Sequence, residues 1–499
     1  MFTPKKSVVL QAQDVQEPQP TYLWFDYETS GPHPGWDRPT QVAMIRTTMD
    51  FQMVGQEESF KIQLPEDVLP HPRAMALTQM TPQQLQQEGI SEAEAARRLY
   101  AHFTEPHTCL VGYNSHQFDD EVTRHVFYRN FKPTYEHEWK NGNSRWDLFG
   151  VVRMFYALAP QTLSWVFDEA GTPKFGLEGL ALANGFRTGQ AHEALSDVRA
   201  LMALAQTLQS RQPDLFSSLF ELRHKKAIEQ LVAQSLKEGF PLLYASSFNP
   251  ASSGGVSMIL PLGMHPTRPN LLMAVDLHDD PQMTLTCTEE SLFERLTTPL
   301  EEGQSKLAIR LIPINRLPTL LHGRWIKDIN IQRLGWDLVG IQQHARQWMA
   351  QRAWQATFSG VMKRVAQWQD GQPQDRLDSE LSLYQGFFSK SDEYKTRLAS
   401  QDIAFTQTHD FEDDRLNCLW FRYRARHFPH TLGSTEQEKW RCHTRTWLNH
   451  PPKPGLNLAQ YHQAIDALED APDGLKSALR AWAAELAQKV GLKKDELPN

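Results

Sequence analysis

Apolar and polar positions change rhythm several times along the chain, and each change predicts an element. Tyr22–Asp26 (YLWFD) is a short aromatic and apolar run of the kind a buried strand carries. Thr40–Thr47 (TQVAMIRT) predicts a second strand, and Phe51–Leu64 a third, more polar one. Thr81–Phe103 has helical spacing, with Pro82 near its start and Gly89 dividing it in two. Cys109–Tyr113 (CLVGY) predicts a short buried strand, and the apolar positions after Phe118 return to a helical period. Leu177–Asn184 and Ser196–Leu208 are amphipathic helices. Strands followed by strands alternating with helices imply an α/β domain with a mixed sheet, over residues 21–212. From 213 to 363 short strand-like runs such as LLMAVDL and LAIRLIPI predict a β-rich unit with helical segments around it. A polar stretch within 364–379 reads as a linker, and 380–499 as a helical unit. Residues 1–20 read as a disordered tail.

Composition bounds this picture. At 499 residues, with 40% hydrophobic and 22% charged residues, the chain suits a soluble protein of two or three domains. No apolar run is long enough to span a bilayer, and the N-terminal stretch lacks a secretory core, so the expected compartment is the cytoplasm. The four cysteines are widely spaced and include no C-x-x-C pair, which disfavours a zinc ribbon and suits free thiols in a reducing compartment. The net charge of −8 is uneven. Residues 21–212 carry 16 basic against 23 acidic side chains, 213–363 carry 15 against 14, and 364–499 carry 18 against 20. The acid excess therefore sits in the first domain. This argues against a protein that coats duplex DNA, but not against local nucleic-acid contacts.

Three motifs bear chemistry. In FDYETSG, Asp26 and Glu28 stand two apart at the end of an apolar strand, so both carboxylates lie on one face. Carboxylates forced together repel unless a cation lies between them, and oxygen donors suit Mg²⁺ or Mn²⁺. The triplet alone is weak, since Asp378–Glu380 and Asp410–Glu412 share it. In GYNSHQFDDEV, Asp119 falls where a helix begins, which also fits a simple helix cap. In AHEALSDVRAL, His192 precedes a helix and Asp197 lies in its first turn, which alone fits a surface pair. His409 and Asp414 repeat that spacing in a stretch read as a solvated loop.

The order of these motifs within one domain's length resembles the DEDD superfamily of 3′→5′ exonucleases, in its His-containing branch. HPGWDRPTQVAMIRT, NSRWDLFGVVRMFYAL, LYQGFF at Leu383–Phe388 and FRYRARHFPHTL at Phe421–Leu432 extend the resemblance to the bacterial exonuclease I family, over roughly residues 20 to 480. The resemblance implies a ribonuclease-H-like nuclease domain, an SH3-like β domain and a C-terminal helical domain around a groove for single-stranded DNA. It implies Asp26, Glu28, Asp119 and Asp197 as ligands of two Mg²⁺ ions, with Mn²⁺ as a substitute, and His192 as general base. Ser30 departs from relatives with an aromatic residue there. Candidate DNA contacts are Arg145, Trp146, Arg422, Arg424 and Arg426, the last three fitting equally an exposed helix face paired with acids. The expected assembly is a monomer, with the C-terminal tail of single-stranded-DNA-binding protein as an implied partner. Two competing readings are an exoribonuclease of the same superfamily, over which the two appended domains favour DNA, and a non-catalytic scaffold, against which the five-residue set argues. The first domain, if it folds alone, would keep all five groups.

Overall fold

The computed structural model describes residues 19–186, 193–299, 306–373, 377–401 and 409–492; most of the expected N-terminal tail and His192 lie outside them. The first part of the chain runs β1 (Thr21–Thr29), β2 (Pro39–Thr48), β3 (Glu58–Lys61), α1 (Pro72–Thr78), α2 (Pro82–Glu88), α3 (Glu92–Phe103), β4 (Thr108–Gly112), α4 (Asp119–Arg129), β5 (Ser144–Asp147), α5 (Leu148–Leu158), the small hairpin β6 (Val166–Phe167) and β7 (Pro173–Lys174), α6 (Leu177–Asn184) and α7 (Ala194–Arg211). Its sheet has the order β3-β2-β1-β4-β5. The β1–β2 and β2–β3 pairs are antiparallel, and β1–β4 and β4–β5 are parallel, which makes the sheet mixed.

Strand β1 is central, and its two faces bury different cores. Tyr22 and Trp24 pack with residues of α5 and α7, whereas Leu23, Phe25 and Tyr27 pack with α3 and α4. Alternation of this kind explains the near-continuous apolar sequence of the strand. The third strand is shorter than the sequence suggests, because Phe51 and Gly55 adopt left-handed backbone conformations and turn the chain first. Gly89 divides α2 from α3 for a steric reason. A Cβ there would lie 2.5 Å from the Leu85 carbonyl oxygen and 2.9 Å from the Gln63 nitrogen.

The second part comprises α8 (Pro213–Glu221), α9 (Lys225–Glu238), β8 (Leu242–Ala245), β9 (Val256–Met264), β10 (Leu271–Asp276), α10 (Pro281–Leu285), α11 (Glu289–Thr297), β11 (Ile309–Pro313), β12 (Leu320–His322), α12 (Asp328–Leu334), α13 (Leu338–Ala350) and α14 (Arg352–Asp370). Its antiparallel sheet has the order β11-β10-β9-β8-β12. The third part is helical: α15 (Lys390–Ala399), α16 (Asp414–His427), α17 (Ser434–Asn449), α18 (Leu458–Asp466) and α19 (Leu475–Lys489).

Two local expectations change. The stretch read as a linker from 364 begins inside α14, which continues to Asp370. The acid cluster read as a solvated loop is a helix start: Asp413 caps α16, whose Leu416 and Leu419 are buried. Neither feature is local in origin, since both helices are held by packing against distant elements.

The three parts share cores. One cluster joins Trp24, Val151 and Leu204 to Leu243, Met258 and Trp348 of the second part. Another joins Met75 and Leu85 to Tyr461, Leu479 and Trp482, and a third joins Tyr128 and Phe131 to Phe411 and Trp420. The first domain therefore buries apolar surface against both others. The expectation that it could stand alone does not suit this packing.

Candidate active site

The row of side chains Tyr22, Trp24, Asp26, Glu28 runs along one face of β1. The first two lie in the core and the last two emerge beyond it. Helix α7 packs across β1 and β2 and brings Asp197, in its first turn, to the same place. One oxygen from each of Asp26, Glu28 and Asp197 lies within 4.8 Å of the others.

Asp119 arrives from the parallel strand β4. After Gly112 the chain turns through Asn114, at φ 58°, and enters α4 at Asp119. The Asp147 carboxylate braces this turn by accepting the backbone N–H groups of Asn114 (2.8 Å) and His116 (3.3 Å), while also capping α5 through Phe149 N–H (2.9 Å). Asp119 is thus the first residue of the helix rather than its cap. Its carbonyl accepts from Thr123 Oγ1 (2.9 Å), and that hydroxyl lies 3.1 Å from Tyr27 Oη, between Asp26 and Glu28 in sequence. β1 and α4 are tied together beside the acids.

The electrostatics are those of a site built for a cation. Burial, then Glu28, then Asp197 hold the Asp26 carboxyl well above the usual range. Burial, Asp197 and Asp119 push Glu28 up to about 8. Burial, Asp26 and Asp120 raise Asp119 well above its ordinary value. The carboxylates act mainly on one another, so ionising them together costs free energy that a divalent cation would offset. Four hard oxygen donors fit Mg²⁺ or a similar ion. Beside Glu28 lies a cavity of about 410 Å³, lined in part by Thr29, His71, Arg73, Leu77 and Phe118.

The structure brings Asp26, Glu28, Asp119 and Asp197 into one electrostatic cluster; His192 lies outside the described residues. The expected DNA contacts fare differently. Arg145 is buried, pairing with Asp120 and, at 3.0 Å, with Glu138. Trp146 is buried against Phe216 and Phe220. Arg422 forms a two-bond pair with Asp378 (2.6 and 2.8 Å), Arg424 pairs with Glu436 (2.9 Å), and Arg426 pairs with Asp67 (2.5 Å) and Glu380 (2.6 Å). These groups brace the fold through buried or partly buried acids instead of facing a DNA strand.

Several residues shape the site in ways their sequence positions do not disclose. Ser30 is fully buried; its Oγ accepts from Arg38 N–H (2.9 Å) and its N–H donates to the Arg38 carbonyl (2.8 Å). The hydroxyl closes the loop that follows Glu28, which is a physical role for a serine there. Arg38 then pairs at 2.5 Å with Glu380, so the helical part of the chain grips this loop. For Asp147 the signal was available, as an Asp directly before the apolar helical run LFGVV.

A mixed sheet flanked by helices, with clustered carboxylates at the end of its central strand, defines a nuclease domain of the exonuclease type. Consistent with this class, residues 23–205 match the family model described as exonuclease. Residues 223–364 match the exonuclease I SH3-like domain, and 377–486 the exonuclease I C-terminal domain. Exodeoxyribonuclease I of Escherichia coli (strain K12) is 37% identical over 436 residues, covering 86% of this chain and 90% of that protein. The chain belongs to the exonuclease I family. Among solved structures, exonuclease I from Methylocaldum szegediense superposes with a TM-score of 0.85 at 34% identity, covering 94% of this chain and 99% of that one. A zinc-bound complex of E. coli exonuclease I with single-stranded DNA superposes with a TM-score of 0.84 at 34% identity, covering 95% and 100%.

Proposed function

We infer that this chain is an exodeoxyribonuclease that removes nucleotides from the 3′ end of single-stranded DNA and releases 5′-mononucleotides. The observation that carries the reading is the convergence of Asp26, Glu28 and Asp197, with Asp119 in electrostatic contact, at one end of β1. These four carboxylates would hold two Mg²⁺ ions, with Mn²⁺ as a substitute. Divalent ions supply positive charge to the phosphodiester and a nucleophile at neutral pH. His192 would accept the proton of the attacking water, for which it must be neutral; an unperturbed imidazole titrates near ~6.5, so turnover is expected to rise through neutral pH. The terminal nucleotide would enter the cavity beside Glu28, which Thr29, Arg73 and Phe118 help to line. The relatives named above, one of them complexed with single-stranded DNA, support this substrate.

The same reading places the protein in the cytoplasm, as a monomer acting in DNA repair and recombination and docking the C-terminal tail of single-stranded-DNA-binding protein. Among the described residues no helix is long and apolar enough to cross a membrane. The test is hydrolysis of end-labelled single-stranded DNA and RNA of one sequence, with Mg²⁺ and with chelator. Mononucleotides released from the DNA 3′ end only with metal are expected. Metal-independent hydrolysis, or RNA cleaved as fast as DNA, would refute the reading.

A further inference from the structure

Asp26 and Glu28 are placed by β1, and Asp197 by α7, which packs across β1 and β2. Asp119 is placed differently, by the irregular turn between β4 and α4. In that turn Asn114 takes φ 58°, and a Cβ on Gly112 would lie 2.5 Å from Ser115 Cβ. The Ser115 carbonyl closes the turn by accepting Phe118 N–H (3.2 Å) and Asp120 N–H (2.9 Å). Asp147, opposite Gly112 in the parallel β4–β5 pair, ties the turn down. Both of its carboxylate oxygens serve as acceptors, Oδ1 for Asn114 and Phe149 and Oδ2 for His116. Because Asp147 is also the N-cap of α5, whatever fixes the start of α5 fixes the approach to Asp119.

The second part of the chain meets α5 at that start. Gly150, the third residue of α5, lies so close to Thr319 that a Cβ there would overlap Thr319 Oγ1 and stand 2.8 Å from Thr319 Cβ. Thr319 is itself held in place. Its carbonyl accepts Ala245 N–H (3.0 Å), and Leu320 beside it pairs with Tyr244 in the β12–β8 ladder. A cavity of about 10 Å³, room for about one water molecule, lies at the same junction. His116 and Asp147 line it from the first part, and Leu317, Pro318 and Thr319 from the second. Surfaces packed this closely transmit a displacement rather than absorb it.

We propose that Thr319, at the edge of the SH3-like part, is a positioning residue for Asp119. Thr319 against Gly150 holds the start of α5, Asp147 holds the turn, and the turn sets the Asp119 carboxylate where the other three acids gather. The proposal rests on the reading of those four acids as ligands of divalent ions. It gives the SH3-like part a share in metal affinity through a chain of contacts behind the ligands, separate from any contact it makes with a strand.

The test uses the full chain and Mn²⁺ alone, without DNA, with binding followed by electron paramagnetic resonance and folding checked by circular dichroism. Asp147→Asn turns an amide N–H₂ towards backbone donors and should weaken Mn²⁺ binding about tenfold. That change also removes a charge, so the deciding pair is uncharged. Gly150→Ala overlaps Thr319, and Thr319→Gly opens a gap at the same place; each should weaken Mn²⁺ binding several-fold. In the double variant the added methyl occupies the space that the Thr319 side chain leaves, and binding should return to that of wild type. A contact with only a structural role would move the melting temperature of these variants and leave Mn²⁺ binding alone. Wild-type binding in Gly150→Ala, or a double variant that binds no better than Gly150→Ala, would overturn the proposal. Should Gly150→Ala not fold, Thr319→Gly and the double variant decide: rescue supports the proposal and its absence overturns it. Wild type that binds no Mn²⁺ would overturn the metal reading beneath it.

Discussion

Glu380 is the carboxylate on which the union of the first and third parts most depends. Its side chain is fully buried and meets Arg38 at 2.5 Å, Arg426 at 2.6 Å and Arg422 at 3.3 Å. Glu380→Gln keeps the volume and removes the charge, so no cavity is formed. Arg422 retains Asp378 and Arg426 retains Asp67. Arg38, whose side chain is 2% exposed, is left without the carboxylate that chiefly opposes its desolvation. Breaking a buried pair from one side costs about 3–5 kcal/mol. Shared cores argue that the chain unfolds largely as one unit. At ~2.1 cal/mol/K per residue the unfolding entropy is then about 1 kcal/mol/K, and the melting temperature falls by about 3–5 °C. Removing both charges, as Arg38→Met with Glu380→Gln, should cost less than the sum of the two single changes by about 0.5–3 kcal/mol. The three arginines hold the Glu380 carboxyl well below the usual range. Its contribution is therefore present above the ordinary carboxylate range and is lost only as pH falls through the depressed value. Wild type and Glu380→Gln should still differ at pH 5 and converge only in stronger acid. Thermal melts followed by circular dichroism measure all of this. A Glu380→Gln shift below 1 °C, or strict additivity in the double variant, would refute the reasoning.

Asp26→Asn should abolish hydrolysis yet raise the stability of the metal-free protein at pH 8 by about 1–3 kcal/mol, because it relieves repulsion in the cluster; a destabilised metal-free variant would count against that cluster. With Glu28 raised to about 8, its contribution to the stability of the metal-free protein is full below the ordinary carboxylate range and is lost as pH rises towards 8. Added Mg²⁺ should flatten that fall, and melts across pH with and without chelator would show it. His192→Ala should lower turnover by about two to four orders of magnitude with little change in strand affinity; a loss of binding at unchanged single-turnover rate would contradict its role as base. A fragment of residues 21–212 should be insoluble or molten, since it exposes Met75, Leu85, Tyr128 and Phe131 that are now covered; a cooperative melt of the soluble fragment would show that the shared cores are dispensable.

What the sequence disclosed and what it hid follow one physical division. Asp26 and Glu28 were readable because their geometry is local: a strand of period two fixes both side chains on one face. Asp119 and Asp197 each open a helix whose apolar stripe is visible in the chain, but alone they fit a cap and a surface pair, and only the resemblance to the exonuclease family singles them out. The arginines of α16 were misread because their partners are not local. Asp67 is 359 residues from Arg426, Glu380 is 46 residues from it, and Asp378 is 44 residues from Arg422. Glu380 belongs to a D-x-E triplet of the same form as Asp26 and Glu28. A run of basic residues looks the same in sequence whether it faces phosphate or buried carboxylate. Helical phase still held a clue. Arg422 and Arg426 follow Leu419 by three and seven residues, which places them on the buried stripe, whereas Arg424 falls off it. Arginines on an apolar stripe must meet buried acids or pull the helix from the core. Read in that phase, Arg422 and Arg426 point inward, to the buried carboxylates they meet.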